Sequence, residues 1–483
     1  MDQHPRSWGG KDLAKVITSK GYSIRKDALT EAEKLRVEKE LTVAPIVQQK
    51  FAAKEDLSFK IYRESKERYY LPRRWGEAAF GPADSNIVSE GRELLAEAKR
   101  FVGTPYEYQK DIINMFIKAD ANGLICVPCG RGKTFMAVAI AAKLGKRFLV
   151  IVDKEFLMNQ WKGEIQSLLP GLRIGICQAG RREIDPEKYD CTLCMIQTLC
   201  GQEFLPNTFQ DYGFAIFDEC HHLGASHFSK ALMKVQTRKM LGLSATPKRE
   251  DGLTKVFEWF LGEPVYWEKT RDPDPSVTVR PIFVTCKDAA YVEPPLDWRK
   301  EIVMARLLTQ VVECQERTAM IAECLKQLCE DKRRKVLVLS ERISHLNAIE
   351  DLLPGYSIGY YIGGMKEEVR ETGAANAQIL LASYAMASEA MNIKTLNSVI
   401  MASPRKNVEQ STGRILRIQA DKRIVSPLII DIVDVHGVYR SQYKKRCIYY
   451  RKCKYTIMED DIEPDESVAF VQADANGCLF TDD

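Results

Sequence analysis

The residue types and spacing best suited to chemistry in this chain lie in a glycine-rich loop, the run VPCGRGKT. Glycines allow backbone N–H groups to close around phosphate oxygens, a lysine brings positive charge to the β and γ phosphates, and a threonine hydroxyl can bind Mg²⁺. We therefore predict a nucleotide site made by Gly130, Arg131, Gly132, Lys133 and Thr134. A ligand-free turn between a strand and a helix is the alternative for this stretch alone.

An acidic pair, Asp218 and Glu219, stands about 85 residues further along in FAIFDECHHL. The apolar residues before it predict a strand that delivers both carboxylates to the carboxyl edge of a sheet, where open parallel sheets bind ligands. We expect Asp218 to hold Mg²⁺ together with Thr134, and Glu219 to accept a proton from, or orient, the attacking water. A helix cap is the alternative for an isolated pair. We assign a coupling role to His221 and expect no zinc at the adjacent histidines.

A third polar group lies near the end of the chain, in NVEQSTGRILRIQ. Gln410, Arg414 and Arg417 fall on one face if this run is a helix. Two arginines one turn apart suit a polyphosphate, because guanidinium is planar, always charged and able to stabilise charge that develops in a transition state. Two solvated arginines are the alternative. The glycine inside the run argues against it, since glycine costs about 1 kcal/mol in a helix relative to alanine.

Short apolar runs alternate with amphipathic ones on both sides of RDPDPSVTVRP, which indicates two α/β domains with parallel sheets covered by helices. The runs predicted as strands are GLICV, FLVIV, RIGIC, CTLCMI, FAIFD and MLGLS, then KVLVLS, SIGYYIGG, AQILLAS, NSVIMAS and PLIIDIVD. The first 95 residues contain a predicted helix, TEAEKLRVEKEL, and a predicted pair of short strands or a hairpin in FKIYRESKERYYLPRRWG. The predicted limits are an accessory module at 1–95, a first domain at 96–270, a linker at 271–300, a second domain at 301–440, and a basic extension with an acidic tail at 441–483.

Composition narrows the class of protein. The 483 residues are 45% hydrophobic and 28% charged, which is typical of a globular chain of several domains. The net charge of +4 means that a nucleic-acid surface must come from local clustering. The 14 cysteines lie mostly in apolar runs, as buried thiols do in a reducing compartment, and the pair Cys191 and Cys194 lacks a second pair that would complete a zinc site. No apolar run is long enough for a membrane span or a signal core.

These motifs, in this order, resemble those of the superfamily-2 helicases and nucleic-acid translocases from about residue 100 to 450. The phosphate loop, the run from Asp218 to His221, and GLSATPKRED correspond to successive family motifs. The resemblance is nearest to the XPB and UvsW-type group and to the transcript-release helicases of poxviruses and other large DNA viruses, on LGLSATPKREDG, SVIMASPRKNVEQSTGRILR and the basic VYRSQYKKRCIYYRKCKY. It implies two RecA-like domains and the cofactors ATP and Mg²⁺.

The resemblance also implies roles for individual residues. Gln109 in TPYEYQKDIINMF would contact adenine, and Ser244 and Thr246 would couple hydrolysis to strand movement, with Arg249 beside them. Asn392 stands where the family usually has aspartate, which would weaken a hydroxyl contact. Residues expected to hold the nucleic-acid backbone are Lys154, Thr198, Gly363, Gly364, Ser383 and Arg405. The basic, tyrosine-rich run between Tyr439 and Tyr455 is a further stacking surface or, alternatively, an amphipathic helix that covers the second domain.

These features predict an ATP-dependent DNA helicase, moving 3′ to 5′ by family resemblance, in transcription, repair or recombination. The alternative is a double-stranded DNA translocase that displaces polymerase or transcript with little unwinding. A binding module with an inactive ATPase fold is disfavoured because Lys133, Asp218, Glu219 and Arg414 are all present. Expected partners are DNA and a transcription complex with its RNA polymerase, with no membrane and a monomeric state. The expected location is intracellular, in the host cytoplasm or virion for a viral protein and otherwise in the cytoplasm or nucleus.

Overall fold

The computed structural model describes residues 13–46, 57–128, 130–205, 207–245, 247–249, 251–268, 273–286, 288–389, 391, 393, 395–416, 418 and 422–458. The chain divides into two compact units, Met1–Lys269 and Thr270–Asp483. Within the described ranges, every helix is too short or too polar to traverse a lipid bilayer.

The first unit contains fifteen described strands and eight described α-helices. The strands are β1 Lys15–Thr18, β2 Gly21–Arg25, β3 Thr42–Val43, β4 Phe59–Lys60, β5 Arg63–Glu64, β6 Arg68–Leu71, β7 Ser85–Asn86, β8 Asn122–Cys126, β9 Phe148–Val152, β10 Ile174–Gln178, β11 Arg181–Arg182, β12 Cys191–Met195, β13 Phe214–Phe217, β14 Lys239–Ser244 and β15 Pro264–Trp267. The helices are α1 Glu31–Glu40, α2 Arg73–Phe80, α3 Glu107–Lys118, α4 Lys133–Leu144, α5 Glu155–Leu168, α6 Ile196–Gly201, α7 Ser229–Lys234 and α8 Thr254–Leu261.

The main sheet of this unit has the order β11-β10-β12-β9-β13-β14-β8-β15 and is parallel except for the pair of β10 with β11. The central strands β8, β9, β12 and β13 are buried at every position, which explains why they are continuous apolar runs without alternation. Because β13, β14 and β8 are neighbours, the loops that leave their carboxyl ends are also neighbours. This arrangement positions the candidate site.

A smaller sheet in the order β5-β6-β2-β1-β7 forms the accessory part of the first unit. Tyr22 and Trp75 from this part belong to the same hydrophobic cluster as Leu124 and Phe257 of the main sheet and its helices. The buried guanidinium of Arg73 donates to the carbonyl of Thr237 at 3.0 Å. The accessory part and the main sheet therefore share one core.

The second unit contains seven described strands and eight described α-helices. In chain order they are β16 Thr278–Val284, α9 Ala289–Val292, α10 Met304–Glu313, α11 Gln315–Glu330, β17 Val336–Ser340, α12 Ile343–Asp351, β18 Ile358–Tyr361, α13 Glu367–Asn376, β19 Ile379–Ser383, α14 Tyr384–Glu389, β20 Ser398–Met401, α15 Glu409–Thr412, β21 Leu428–Asp434, α16 Gly437–Lys452 and β22 Thr456–Ile457. The sheet is parallel throughout, in the order β18-β19-β17-β20-β21-β16-β22.

The predicted fold class is confirmed, since two parallel α/β sheets occur in tandem and every apolar run predicted as a strand contains one. The limits of the parts differ in two places. The predicted linker 271–300 contains β16, which pairs with β21 along its whole length because its apolar residues complete the second sheet. The predicted limit at residue 440 falls inside α16, whose apolar side packs on the same unit.

Candidate active site

Three predicted motifs meet at one edge of the first sheet. The phosphate loop follows β8, Asp218 and Glu219 follow β13, and Ser244 ends β14. The register pairs Ser244 with Cys126, so the ends of β14 and β8 are level with each other. It pairs Phe217 with Gly242, so β13 ends two residues before that level, and Asp218 and Glu219 continue towards it. Residues far apart in the sequence are therefore brought together by the parallel topology.

The phosphate loop has the backbone that its glycines predict. Gly130 and Gly132 have φ of 87° and 79°, in the left-handed region that favours glycine. A Cβ on Gly132 would lie 2.5 Å from Nε2 of Gln109, so a larger residue would displace that side chain. Lys133 and Thr134 are the first two residues of α4, at the helix end whose free N–H groups favour anions.

Gln109, predicted to contact adenine, is buried against this loop. Its Nε2 donates to the carbonyl of Arg131 at 3.2 Å, and its Oε1 accepts from the backbone N–H of Tyr106 at 3.0 Å. The Tyr108 hydroxyl donates to the same Arg131 carbonyl at 3.2 Å. The amide of Gln109 therefore holds the start of α3 against the phosphate loop, and its contact with a base stays a prediction.

Arg131, predicted to contact phosphate, interacts elsewhere in this structure. Its Nε donates to Oε2 of Glu268 at 3.1 Å, and its guanidinium carbon lies 4.4 Å from the ring centroid of Tyr108. Glu268 directly follows β15, beside β8, which brings the carboxylate close to the loop. A contact of Arg131 with phosphate stays a prediction.

Lys133, Asp218 and Glu219 form the charged centre of the site. Nζ of Lys133 lies 2.9 Å from Oε1 of Glu219, and both side chains are largely buried. Burial and the charge of Glu219 raise the pKa of Asp218 to about 6. Burial is the largest single influence on the pKa of Glu219 and opposes its ionisation. The charge and hydrogen bond of Lys133, together with the neighbouring His221 and His222, outweigh burial and lower the pKa of this carboxyl to about 2. Glu219 is therefore ionised at neutral pH.

Glu219 is strained and incompletely satisfied. Its φ of 42° and ψ of 49° are left-handed, a conformation that costs non-glycine residues of order 1 kcal/mol or more. Its Oε2 is buried, has no hydrogen-bond partner among the described residues, and lies 3.4 Å from Nδ1 of His221. Strain and unused acceptor capacity at one carboxylate are typical of functional sites.

His221 connects the acidic loop to the end of β14. Its Nδ1 lies 3.0 Å from Oγ of Ser244, and burial lowers the pKa of His221 to about 4, so the ring is neutral near pH 7. Arg249 donates to the carbonyl of His221 and pairs with Asp251. The coupling role of His221 stays a prediction. Thr246 lies outside the described residues.

The rings of His221 and His222 lie close together, with centroids 4.3 Å apart, because both residues belong to a 3₁₀ helix, Cys220–Gly224. Among the described residues there is no group of three or more His, Cys, Asp or Glu side chains placed to hold a metal ion. A magnesium ion bound through Asp218 and Thr134 would thus take its remaining ligands from nucleotide phosphates and water, as Mg²⁺ commonly does. The glycine cradle, the lysine and this donor set fit Mg²⁺ and ATP.

Trp161 is a site residue that the sequence analysis missed. Its indole N–H donates to Oδ2 of Asp218 at 2.8 Å, while the backbone N–H of Glu219 donates to Oδ1 at 2.9 Å. Trp161 lies in α5, 57 residues before Asp218, and is 1% exposed. An apolar helix position predicts a core residue, and nothing local to it indicates an acidic partner.

In the second unit, the run with the predicted arginine finger is not one continuous α-helix. It is the short helix α15 followed by a 3₁₀ helix, Gly413–Leu416, because glycine weakens the α-helix and 3₁₀ turns are common at helix ends. The side chains of Gln410 and Arg414, and all of Arg417, lie outside the described part of the chain. Their placement on one face stays a prediction, as does the role of Asn392, which also lies outside it.

The residues predicted to hold nucleic acid all follow strand ends. Lys154 follows β9, Thr198 follows β12, Gly363 and Gly364 follow β18, Ser383 ends β19, and Arg405 follows β20. Several of them already have partners, and the hydroxyl of Ser383 accepts from the backbone N–H of Met386 at 3.4 Å. The hydroxyl of Thr198 accepts from the backbone N–H of Ala179 at 2.9 Å, and Arg405 pairs with Glu341. The space beside Gly363 and Gly364 is open.

The basic, tyrosine-rich run is the helix α16, which covers the second sheet. Tyr439, Arg446, Cys447 and Tyr450 are its buried residues. Arg446 is one of the basic residues of this run, and its packing favours the covering helix over a nucleic-acid surface at this position. Its guanidinium is buried and pairs with Asp431 of β21 at 2.7 and 2.9 Å.

Comparisons with known proteins agree with this geometry. Residues 103–249 match the family model "Type III restriction enzyme, res subunit", and residues 319–419 match "Helicase conserved C-terminal domain". A protein of Acanthamoeba polyphaga mimivirus named "Putative ATP-dependent RNA helicase" is 31% identical over 457 residues, covering 92% of this chain and 86% of its own.

A protein of the same printed description from African swine fever virus is 28% identical over 371 residues and covers 68% of each chain. The solved structure titled "The crystal structure of T4 UvsW" has a TM-score of 0.36 at 19% identity, covering 89% of this chain and 95% of its own. The relationship to the mimivirus protein and the two matched domains, together with the geometry above, identify an ATP-dependent nucleic-acid helicase. The chain belongs to the viral superfamily-2 helicases.

Proposed function

We propose that this helicase acts on DNA, moving 3′ to 5′ and coupling ATP hydrolysis to movement in transcription, repair or recombination. One set of contacts supports the proposed coupling between ATP hydrolysis and movement. Lys133 contacts Glu219, Glu219 lies beside His221, and His221 contacts Ser244 at the end of β14. A change at the phosphate loop can thus reach the strand end that precedes the motif implicated in strand movement. Preference for DNA rests on the resemblance of LGLSATPKREDG to XPB-type proteins.

The residues of the first unit suit hydrolysis. Lys133 can exchange Glu219 for phosphate oxygens, since one amino group serves either partner. Glu219, ionised and then released, can orient the attacking water and accept its proton. Asp218 and Thr134 would hold Mg²⁺, which supplies charge stabilisation at the phosphates. We propose that Arg414 and Arg417, with Gln410, complete the site, because an arginine finger contributes roughly 10³ to 10⁵ in rate where measured.

RNA is a second candidate substrate, because the mimivirus and African swine fever virus relatives carry names that specify RNA helicases. A double-stranded DNA translocase that displaces polymerase or transcript is the alternative with the same motor. The proposed partners are accordingly nucleic acid and a transcription complex.

A steady-state ATPase panel with single-stranded DNA, duplex DNA, forked DNA and RNA tests these assignments. We expect slow hydrolysis without polymer and a many-fold increase with DNA. Lys133→Ala and Glu219→Gln serve as inactive controls. Lys143→Ala is a matched control, because Lys143 lies at the other end of α4 and contacts Asn114.

Each assignment has its own contradicting outcome. Stimulation by RNA alone would overturn the DNA assignment. Equal rates with and without polymer would contradict the motor itself. Stimulation by duplex DNA without displacement of a labelled strand would support the translocase, and 3′- and 5′-tailed duplexes would give the direction.

A further inference from the structure

The described cysteines are all free, but two of them in the second unit have their sulfur atoms 2.8 Å apart. Cys286 lies two residues after β16, and Cys314 lies between α10 and α11, where it is the N-cap of α11. A disulfide bond has a sulfur separation of about 2.05 Å, so the two thiols need only a small approach to be joined. Neither cysteine belongs to the nucleotide site.

The two thiols differ in access. Cys286 is only 5% exposed, whereas Cys314 is partly exposed and lines a cavity of about 640 Å³. The cavity has the size of ordinary small-molecule sites. Its other lining residues include Asp288, Tyr291, Arg306, Gln310 and Arg342. The lining carries two arginines and two carboxylates, Asp288 and Glu313, so it offers partners to both the carboxylates and the ammonium groups of glutathione disulfide.

The two thiols also differ in pKa, and the more accessible thiol, Cys314, has the lower value. The hydrogen bond from Cys286 lowers the pKa of Cys314 to about 7 despite partial burial, and the backbone N–H of Arg317 in the first turn of α11 adds to this effect. The same hydrogen bond and burial raise the pKa of Cys286. A thiol with a pKa near ambient pH is the best placed to attack a disulfide. Cys314 is thus both the more accessible thiol and the better nucleophile.

We propose that Cys286 and Cys314 form a redox-active dithiol that exchanges with low-molecular-weight disulfides entering this cavity. The Cys314 thiolate attacks one sulfur of glutathione disulfide, and the sulfur–sulfur bond breaks to release one glutathione, which takes a proton. Cys286 then loses its proton to solvent and attacks the Cys314 sulfur, which releases the second glutathione. Two protein thiols are oxidised to one disulfide, and one glutathione disulfide is reduced to two thiols.

The first unit supplies an internal control. Cys177 of β10 and Cys194 of β12 are direct neighbours in the parallel register, so they are also a close pair. Both are fully buried in the sheet. If the proximity of two thiols were enough for oxidation by glutathione disulfide, Cys177 and Cys194 would be oxidised as readily as Cys286 and Cys314. The proposal requires proximity together with an open path to one thiol.

The test uses the full chain incubated with glutathione disulfide at pH 7.5, quenched with acid, alkylated, digested and mapped by mass spectrometry. We expect a peptide pair joined through Cys286 and Cys314 to form first, while Cys177 and Cys194 stay reduced. The Tm of the oxidised protein should rise by roughly 5 °C or more, because the bond constrains the unfolded chain. The modification rate should halve near pH 7 as the pH is lowered.

Two variants assign the roles. Cys286→Ser should accumulate a mixed disulfide with glutathione on Cys314, because no second thiol resolves it. Cys314→Ser should leave Cys286 unmodified. Modification of Cys177 or Cys194 at an equal rate, or separate labelling of Cys286 and Cys314 without a joined peptide, would overturn the proposal. The wild-type map decides the matter even where a variant fails to fold.

Discussion

Both units bury charged side chains, but the number of partners that each buried charge has differs between the two units. In the second unit, Arg317 and Asp434 are fully buried and paired at 2.6 and 3.1 Å. The guanidinium also donates to the carbonyl of Ala402 at 2.6 Å, and the Tyr291 hydroxyl donates to Asp434 at 2.7 Å. In this network each charge has several partners.

The nucleotide site of the first unit is the opposite case. Lys133 meets Glu219 through a single oxygen at 2.9 Å, and the other oxygen of Glu219 accepts no hydrogen bond among the described residues. Both ion pairs are largely buried, but the charges of the Arg317–Asp434 pair have several hydrogen-bond partners each, in contrast to Oε2 of Glu219. Buried charges with complete partners hold a fold together, whereas a buried charge with unused capacity on a strained backbone is ready to exchange partners.

The largest expected effect separates chemistry from stability. Glu219→Gln should lower ATP hydrolysis by about 10³-fold or more, because the water loses its proton acceptor, while the Tm should change by only a few degrees. Stopped-flow phosphate release and a thermal scan on the same sample measure both quantities. If Glu219→Gln retained a tenth of the wild-type hydrolysis rate, Glu219 would not be the proton acceptor.

The second prediction concerns the closed network. Arg317→Met should lower the free energy of unfolding by about 3–5 kcal/mol, since it leaves Asp434 charged and buried without its partner. Urea unfolding measures the loss. Arg333→Met is the matched control, because Arg333 pairs with Asp331 at the surface and should show no change. Equal free energies of unfolding for Arg317→Met and Arg333→Met would contradict the proposed difference between the two units.

The third prediction uses pH. Because the folded pKa of Asp218 is raised from 3.8 to about 6, the folded state holds an extra proton between these values, and the stability that this provides is lost as pH rises through 6. Binding of Mg·ADP requires the ionised form, so it should release a proton near pH 6 and weaken by up to about tenfold per unit below it.

Calorimetry in two buffers of different ionisation enthalpy detects the released proton. In Glu219→Gln the midpoint should move to lower pH, since the charge of Glu219 helps to raise the pKa of Asp218. An unchanged midpoint would show that the two carboxylates do not interact.

The smallest expected effect belongs to Trp161→Phe. A hydrogen bond to a charged acceptor contributes about 1.5–3 kcal/mol, so Mg·ADP affinity should fall by roughly tenfold. The midpoint for Asp218 should move to higher pH, because this hydrogen bond favours the carboxylate. A merely structural tryptophan would change the Tm and leave that midpoint in place.

Much of the architecture was predictable because buried parallel strands are continuous apolar runs and the motifs at their ends are local. The phosphate loop, Asp218 and Glu219 could be identified from the residues beside them in the sequence. Trp161 could not be assigned to the site, because its partner is distant in the sequence and the indole in α5 is otherwise an ordinary core residue.

The sequence left Arg446 undecided between a nucleic-acid surface and a covering helix for a related reason. A basic residue among tyrosines is typical of a nucleic-acid surface, and only the packing of α16 on β21 shows that Asp431 neutralises it. The strand β16 was placed in a linker because it follows a segment rich in proline and aspartate. Its seven residues pair with β21, which local composition does not reveal.

The shared core of the first unit means that its amino-terminal part and its main sheet stabilise each other. Gly91 packs so tightly on Gly213 that a Cβ there would lie 2.1 Å from the backbone nitrogen. Trp75 and Tyr22 fill the same apolar cluster as Phe257. Removal of the amino-terminal part would expose these apolar side chains of the main sheet and its helices to water, so the first unit depends on both parts for its stability.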